Sequence, residues 1–385
     1  LAITEKYVSV AGGGAHDGTS EANAYTLSEA ITANNALGAG GAAGLRYNII
    51  NGAYTARGAT DTISVGGSAT SPAIWRGYNS AIGDLDNGTR DAYGVLTTTN
   101  FPDIGYNATF RLAVSAGHVV LSNLDMAFNV SGSGLLISTT NVFVLNCRMV
   151  TTSTNAAATA ATASSDANFT NCDFATAGSG GSACVQTELT AFLSNCRATS
   201  PGATGYRLTQ NARATLVNCT AYDCGVAGFS AAHANTYLRM FNCTAYSCVN
   251  GVDILSTNNR DHIIVGCMFT DNSGFGIDLN AGGSGAFVQL AGTRFRDNGA
   301  NFDATYDWIT GTGFRTITTD TGGATTDYAD PTTNKDFSLV YSSPGFAQGF
   351  SQVTNLGACG FTVPTPAQIG AAAWNNTTSP SRTLT

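Results

Sequence analysis

Lysine is almost missing from this chain. Among 385 residues only Lys6 and Lys335 are lysines, and charged residues of every kind make up 11%. The 17 Lys+Arg against 25 Asp+Glu leave a formal net charge of −8. Phosphate backbones and anionic bilayers are held by clustered cations, so neither nucleic acid nor an anionic membrane surface is an expected partner. No apolar run approaches the roughly 18 residues that span a bilayer, so no membrane span is expected. The opening Leu1-Ala2-Ile3-Thr4-Glu5-Lys6 lacks Met and does not read as a signal peptide. No Cys-x-x-Cys occurs among the ten cysteines, which sets aside the usual zinc spacing. What the chain does hold is 43% hydrophobic residues and 45 glycines amid Thr, Asn, Ser and Ala. That mixture suits many short strands joined by tight turns.

The cysteines obey a different rule. Asn146-Cys147, Asn171-Cys172, Asn195-Cys196, Asn218-Cys219 and Asn242-Cys243 are continued by Gly266-Cys267, with cysteine spacings of 25, 24, 23, 24 and 24. Asn123-Leu124 upstream and Thr293 downstream extend the series to eight coils. Two places after each Cys position stand Met126, Met149, Phe174, Ala198, Ala221, Ala245, Phe269 and Phe295. A step of two is the strand period, so the Cys position and its +2 partner point inward together. A second strand follows a glycine, as in Gly205-Tyr206-Arg207-Leu208, Gly251-Val252-Asp253-Ile254 and Gly276-Ile277-Asp278-Leu279. A third precedes the Asn, as in Thr215-Leu216-Val217 and Ile263-Ile264-Val265. Three short strands in about 24 residues, with no helical stretch between them, define an all-β right-handed parallel β-helix. Leucine-rich repeats and propeller blades have other consensus and length.

Coils stack at the roughly 4.8 Å of paired strands, so like residues meet like. The Asn positions are expected to form an asparagine ladder along one corner, and the Cys positions a column of small thiols in the core. In-register Cβ atoms at that spacing are too far apart for the roughly 3.8 Å of a disulfide, so free buried thiols are expected. The residues after the Cys column read Asp125, Arg148, Asp173, Arg197, Thr220, Thr244, Met268 and Arg294. They are expected to face outward, the first four as an ion-pair ladder that pins coil register.

Residues 1–45 read as an N-terminal cap. Thr26-Leu27-Ser28-Glu29 is a capping-box sequence, and Leu27, Ala30 and Ile31 give a short helix an apolar face that covers the first coil. The β-helix is expected over 46–310, a closing segment over 311–363 and an extended tail over 364–385. Residues 79–108 fit the period poorly and read as a lateral loop or an irregular coil.

Several stretches resemble the pectate-lyase-like β-helix superfamily. Tyr7-Val8-Ser9-Val10 through Gly18-Thr19-Ser20, Ala24-Tyr25-Thr26-Leu27 and Asn51-Gly52-Ala53-Tyr54-Thr55 are similar to its opening coils. Asp336-Phe337-Ser338-Leu339 with Ser343-Pro344 is similar to its closing segment. The C-terminal Trp374-Asn375-Asn376-Thr377, with Arg382-Thr383-Leu384-Thr385, resembles short segments of phage tail and virion proteins, although Ser379-Pro380-Ser381 interrupts the pattern here. The superfamily includes lyases, hydrolases, phage tailspikes and inert structural proteins, so the resemblance specifies fold better than activity. It implies a virion-associated or extracellular-surface β-helix, a trimer or a partner of other virion proteins, that displays a host-glycan or receptor-binding face. A polysaccharide-degrading enzyme is the alternative, and a cell-surface adhesin a third reading.

Candidate chemistry is sparse. No lysine lies between Lys6 and Lys335, which counts against a lysine base for uronate proton abstraction. Tailspike hydrolases use paired carboxylates, and one pair suits that role. The apolar neighbours of Asp253 and Asp278 point inward, so both aspartates face outward on adjacent coils. Arg207 and Ser230 precede them in the same column, and Arg260, Asp261 and His262 follow on the next turn. Asp253 and Asp278 are therefore the candidate catalytic residues, with Arg207, Arg260 and His262 as candidate binding residues; the competing reading is a plain solvated polar face. Asp84, Asp86, Asn87, Gly88 and Asp91 bring acidic side chains into one loop but fall short of an EF-hand pattern. No cofactor and no metal are expected.

Overall fold

In the computed structural model the chain is a parallel β-solenoid. The structure describes residues 3–302 apart from 87–89, 92–94, 108–109, 156–158, 255–260, 280–286 and 292, together with the strands Ile309–Thr312, Arg315–Ile317, Tyr328–Asp330 and Asp336–Leu339. Three parallel sheets run its length. Sheet 1 has twelve described strands, from Thr4–Val8 to Ile309–Thr312; sheet 2 has eleven, from Ala53–Arg57 to Arg315–Ile317; sheet 3 has ten, from Asp61–Ile63 to Ala300–Phe302. Tyr328–Asp330 and Asp336–Leu339 form a separate antiparallel pair.

Coil-to-coil register produces columns of like residues. On sheet 1, Val144, Phe169, Leu193, Leu216, Met240, Ile264 and Leu290 succeed one another in register, and all are buried. Burying one such side chain contributes about 1.5–3 kcal/mol, repeated in every coil. On sheet 2 the column narrows to Ala198, Ala221 and Ala245 where sheet 3 supplies Tyr206 and Phe229. The two rings stack with centroids 5.1 Å apart. Where sheet 2 widens again to Phe269 and Phe295, sheet 3 offers glycine. A Cβ on Gly251 would lie 2.5 Å from the Gly276 carbonyl oxygen and 2.9 Å from Phe269 Cδ1, and one on Gly276 2.6 Å from Phe295 Cδ1. Gly251 and Gly276 are thus a requirement of cross-core packing, large against small.

The corner between sheets 1 and 2 explains the asparagines. Asn123, Asn146, Asn171, Asn195, Asn218 and Asn242 all have φ between 52° and 58°, and Gly266 takes φ 63°. This left-handed turn is tolerated by Asn and is free for Gly. Asn146 Nδ2 donates to Asn123 Oδ1 at 3.2 Å, Asn171 Nδ2 to Asn146 Oδ1 at 2.6 Å, and Asn218 Nδ2 to Asn195 Oδ1 at 3.2 Å. A second left-handed corner, after sheet 2, carries Asp223, Ser247, Asp271 and Asp297.

The helix Leu27–Asn35 closes the first coil. Thr26 Oγ1 accepts from Glu29 N–H and Glu29 Oε2 accepts from Thr26 N–H, a complete capping box. Leu27, Ala30, Ile31 and Asn34 form its buried face, and Asn34 Nδ2 donates to the Val65 carbonyl at 2.8 Å.

Residues 79–102 leave the solenoid between Ala73–Tyr78 of sheet 1 and Asp103–Tyr106 of sheet 2. Leu85, Leu96 and Phe101 make a small core of their own. Polar contacts bind the loop to the corner. Arg76 Nη1 pairs with Asp86 Oδ2 at 2.7 Å, and Asn123 Nδ2 donates to Asp86 Oδ1 at 3.2 Å. Arg90 Nε donates to Asn171 Oδ1, and Arg90 Nη1 pairs with Asp173 at 2.9 Å.

Candidate functional site

The outward column of sheet 3 reads Thr162, Gln186, Arg207, Ser230, Asp253 and Asp278, each in register with the next. Strand alternation sends Val252, Ile254 and Ile277 into the core and leaves Asp253 and Asp278 half-buried on the outside. The two aspartates are direct register partners, hence about 4.8 Å apart at the backbone. Sequence reasoning missed Asn250, which opens the strand carrying Asp253. Its Nδ2 donates to Asp278 Oδ2 at 2.9 Å while its Oδ1 accepts from Phe275 N–H at 3.0 Å. Held at both ends, Asn250 fixes the direction of the Asp278 carboxylate. Asn250, three residues before Asp253 and next to Gly251, was the available signal. The two carboxylates and the Arg207 guanidinium on this face can accept and donate hydrogen bonds to sugar hydroxyls, whereas Ser230 in the same column is buried.

The other proposed binding residues do not join this face. Arg260 lies outside the described residues. His262 corrects the expectation: it belongs to sheet 1, and its ring is fully buried. Nδ1 accepts from Leu238 N–H at 3.2 Å and Nε2 has no partner. Burial pushes its pKa down to about 4, so the neutral ring is a core side chain. It stands between Leu238 and Val288 in the stacking order. The spacing of 24 residues from Leu238 and the step of two from inward Ile264 already marked this position as internal.

The column following the cysteines also departs from expectation. Asp125 pairs with Arg148 at 3.0 Å. Asp173 instead receives Arg90 and the Leu96 N–H of the lateral loop, and the Arg197 guanidinium lies over Tyr222 at 5.2 Å. Asp103 extends the column backward beside Asp125, and burial together with that neighbouring charge raises its pKa. Further along, Thr220, Thr244, Met268 and Arg294 are 1% exposed or less, so the second half of this face is covered rather than open. An apolar Met268 at a nominally outward place was the sequence sign.

The cysteine column is fully buried and free of disulfides. Cys147 is chemically quiet: its Sγ donates to the Leu145 carbonyl, and burial pushes its thiol up to about 12. In the lateral loop the Asp84 carboxylate accepts the Asn79, Ser80 and Ala81 N–H groups. It caps a turn.

The family model "right handed beta helix region" matches residues 112–263 and 160–322. The chain belongs to that family. No curated protein matches it. Among solved structures, this β-helix is similar to pectate lyase Pel9A, with a TM-score of 0.54 and 13% identity over 89% of this chain and 91% of that one. It is also similar to the tailspike protein gp49 from Acinetobacter baumannii bacteriophage Fri1, a capsular polysaccharide depolymerase. There the TM-score is 0.50 and the identity 14%, over 75% of this chain and 54% of that one. At such identities the likeness is one of fold.

Proposed function

We propose that this β-helix is a particle- or cell-surface protein that engages polysaccharide along the outward face of sheet 3. The observation that carries the reading is the in-register pair Asp253 and Asp278, with Asn250 orienting the second carboxylate. Arg207, two coils before Asp253 in the same column, continues this face beyond the buried Ser230. The pectate lyase and capsular depolymerase neighbours act on polysaccharides by their names, which supports a glycan over a protein ligand. Virion association and a trimeric assembly belong to this proposal as its setting, on the strength of the C-terminal tail; sedimentation velocity of the full chain tests the assembly, and a monomer counts against it.

A second reading, a glycoside hydrolase or lyase, is favoured by the carboxylate pair itself. Direct register partners on adjacent coils put two carboxylates on one face, and glycosidases divide acid and base or nucleophile roles between such a pair. One experiment separates the two. A panel of acidic and neutral polysaccharides is offered to the wild-type chain and to Asp253→Asn, with binding and reducing-end product both measured. Binding without product, weakened by the substitution, is the expected result. Product lost in Asp253→Asn would establish the enzyme reading. Neither binding nor product, or values equal in both proteins, would remove sheet 3 as the site.

A further inference from the structure

The outward face of sheet 1 carries a different chemistry. Its strands Thr190–Ser194, Arg213–Val217 and Tyr237–Phe241 each turn their second and fourth residues inward. Three registered rows remain outside, among them Thr190, Arg213 and Tyr237, and Phe192, Thr215 and Arg239. A shallow groove of about 240 Å³ lies over them, lined by Thr190, Arg213, Ala214, Thr215, Tyr237 and Arg239. This is below the roughly 300–1,000 Å³ of sites that enclose a whole small ligand, and suits one ring of a longer chain. Phe192, 41% exposed, stands at its margin.

The charge of this groove is out of character for the molecule. The chain carries a net −8, and Arg46, Arg57, Arg76, Arg90, Arg148 and Arg296 each pair with a carboxylate. Arg213 and Arg239 are exposed, and no described carboxylate lies within ion-pairing distance of either. The nearest acidic side chains by position, Glu188 and Asp261, lie outside the lining. Glu188 accepts from Gln186 Nε2 at 3.1 Å. Arg213 is nevertheless held in place, its guanidinium 4.8 Å from the centre of the Tyr237 ring. Stacking in this way fixes the planar fork while leaving its edge donors free for a carboxylate. Arg239 stands one coil and two residues away, about 8 Å across the sheet from strand spacing and rise.

We infer that this groove is a second glycan site, selective for carboxylated saccharides, with Arg213 and Arg239 gripping carboxylates and Tyr237 and Phe192 receiving apolar ring faces. The partly negative face of an aromatic ring suits the C–H side of a pyranose, while Thr190 and Thr215 supply hydroxyls. The site shares no residue with sheet 3, so it stands or falls separately from the reading proposed there.

The test is titration calorimetry of the full chain with tetragalacturonate, tetramannuronate and sialyllactose, with maltotetraose as the neutral counterpart and a single-stranded oligonucleotide as a second anion. Wild type, Arg213→Ala, Arg239→Ala, Arg213→Lys and Arg148→Ala are compared, with thermal unfolding to check folding. At least one carboxylated saccharide is expected to bind and to weaken with salt, maltotetraose to bind at least tenfold more weakly, and each Arg→Ala change to cost tenfold or more. Arg213→Lys, which keeps the charge, folds even if the alanine variant does not, and is expected to lose most of the affinity because the planar fork is gone. Arg148→Ala, which removes an exposed arginine on sheet 2, is expected to leave this binding unchanged; a loss there equal to that of the groove variants would show a response to overall charge and overturn the second site. Failure of all three carboxylated saccharides, indifference to the arginine changes, or preferential binding of the oligonucleotide would each overturn it as well.

Discussion

His262 gives the core a titratable weak point, and its effect can be worked out. The buried ring is neutral, with Nδ1 accepting from Leu238 N–H, so its proton resides on the unpartnered Nε2. Its pKa falls from the ordinary 6.5 to about 4 because burial penalises the charged form. The unfolded chain therefore binds more protons than the folded one between these values. Stability from this residue is complete above pH 6.5 and is lost as pH falls towards 4. At about 1.4 kcal/mol per pH unit, the whole window is worth roughly 3 kcal/mol. His262→Leu removes the titration, keeps an apolar occupant between Leu238 and Val288, and leaves one N–H without its acceptor, a pH-independent cost of about 1–3 kcal/mol. Urea unfolding of both proteins at half-unit steps from pH 4 to 7.5 gives the difference directly, with the other carboxylates cancelling. The variant is expected to be the weaker protein at pH 7.5 and to gain on wild type by roughly 3 kcal/mol on acidification to pH 4. A difference that stays constant across the range would refute the buried neutral histidine.

Three other outcomes follow from the same geometry. Asn146→Ala places a Cβ-bearing residue without a side-chain acceptor at φ 52° and is expected to cost about 1–2 kcal/mol, whereas Asn146→Gly, which imitates Gly266, should cost less; chemical denaturation ranks them. Arg90→Ala leaves Asp173 largely buried and without its cation; a loss of about 3–5 kcal/mol in that local contact should appear as rapid protease cleavage within residues 79–102 while the solenoid stays intact. The native thiols of the cysteine column should not react with a disulfide reagent at pH 8, since they are buried and that of Cys147 is pushed up to about 12; fast labelling of any of the six would contradict the buried column.

The fold was legible because two constraints recur together once per coil. Asn tolerates the left-handed corner, and the next residue must be small and inward, so Asn-Cys returns at a fixed interval. The glycines of sheet 3 were equally visible, although their cause, the facing rings of Phe269 and Phe295, belongs to another sheet. Contacts that skip coils were hidden. Arg90 reaches Asp173 across 83 positions, and no local pattern links a loop residue to a distant ladder. The register of Asp253 with Asp278 followed from alternation alone, whereas the bracing by Asn250 depends on side-chain rotamers. His262 was misplaced because Arg260 and Asp261 beside it made the segment read as a polar turn, even though its spacing from Leu238 and Ile264 marked an inward strand position. The burial of Thr220, Thr244 and Arg294 could not be read from alternation, which distinguishes the two sides of a strand but not an open side from a covered one.

The most direct test of the central claim is a crystal structure of the full chain with the oligosaccharide whose binding Asp253→Asn weakens most. The account predicts a saccharide lying across coils on sheet 3, with a hydroxyl within hydrogen-bonding distance of Asp253 or Asp278. A saccharide bound elsewhere while sheet 3 remains bare would contradict it.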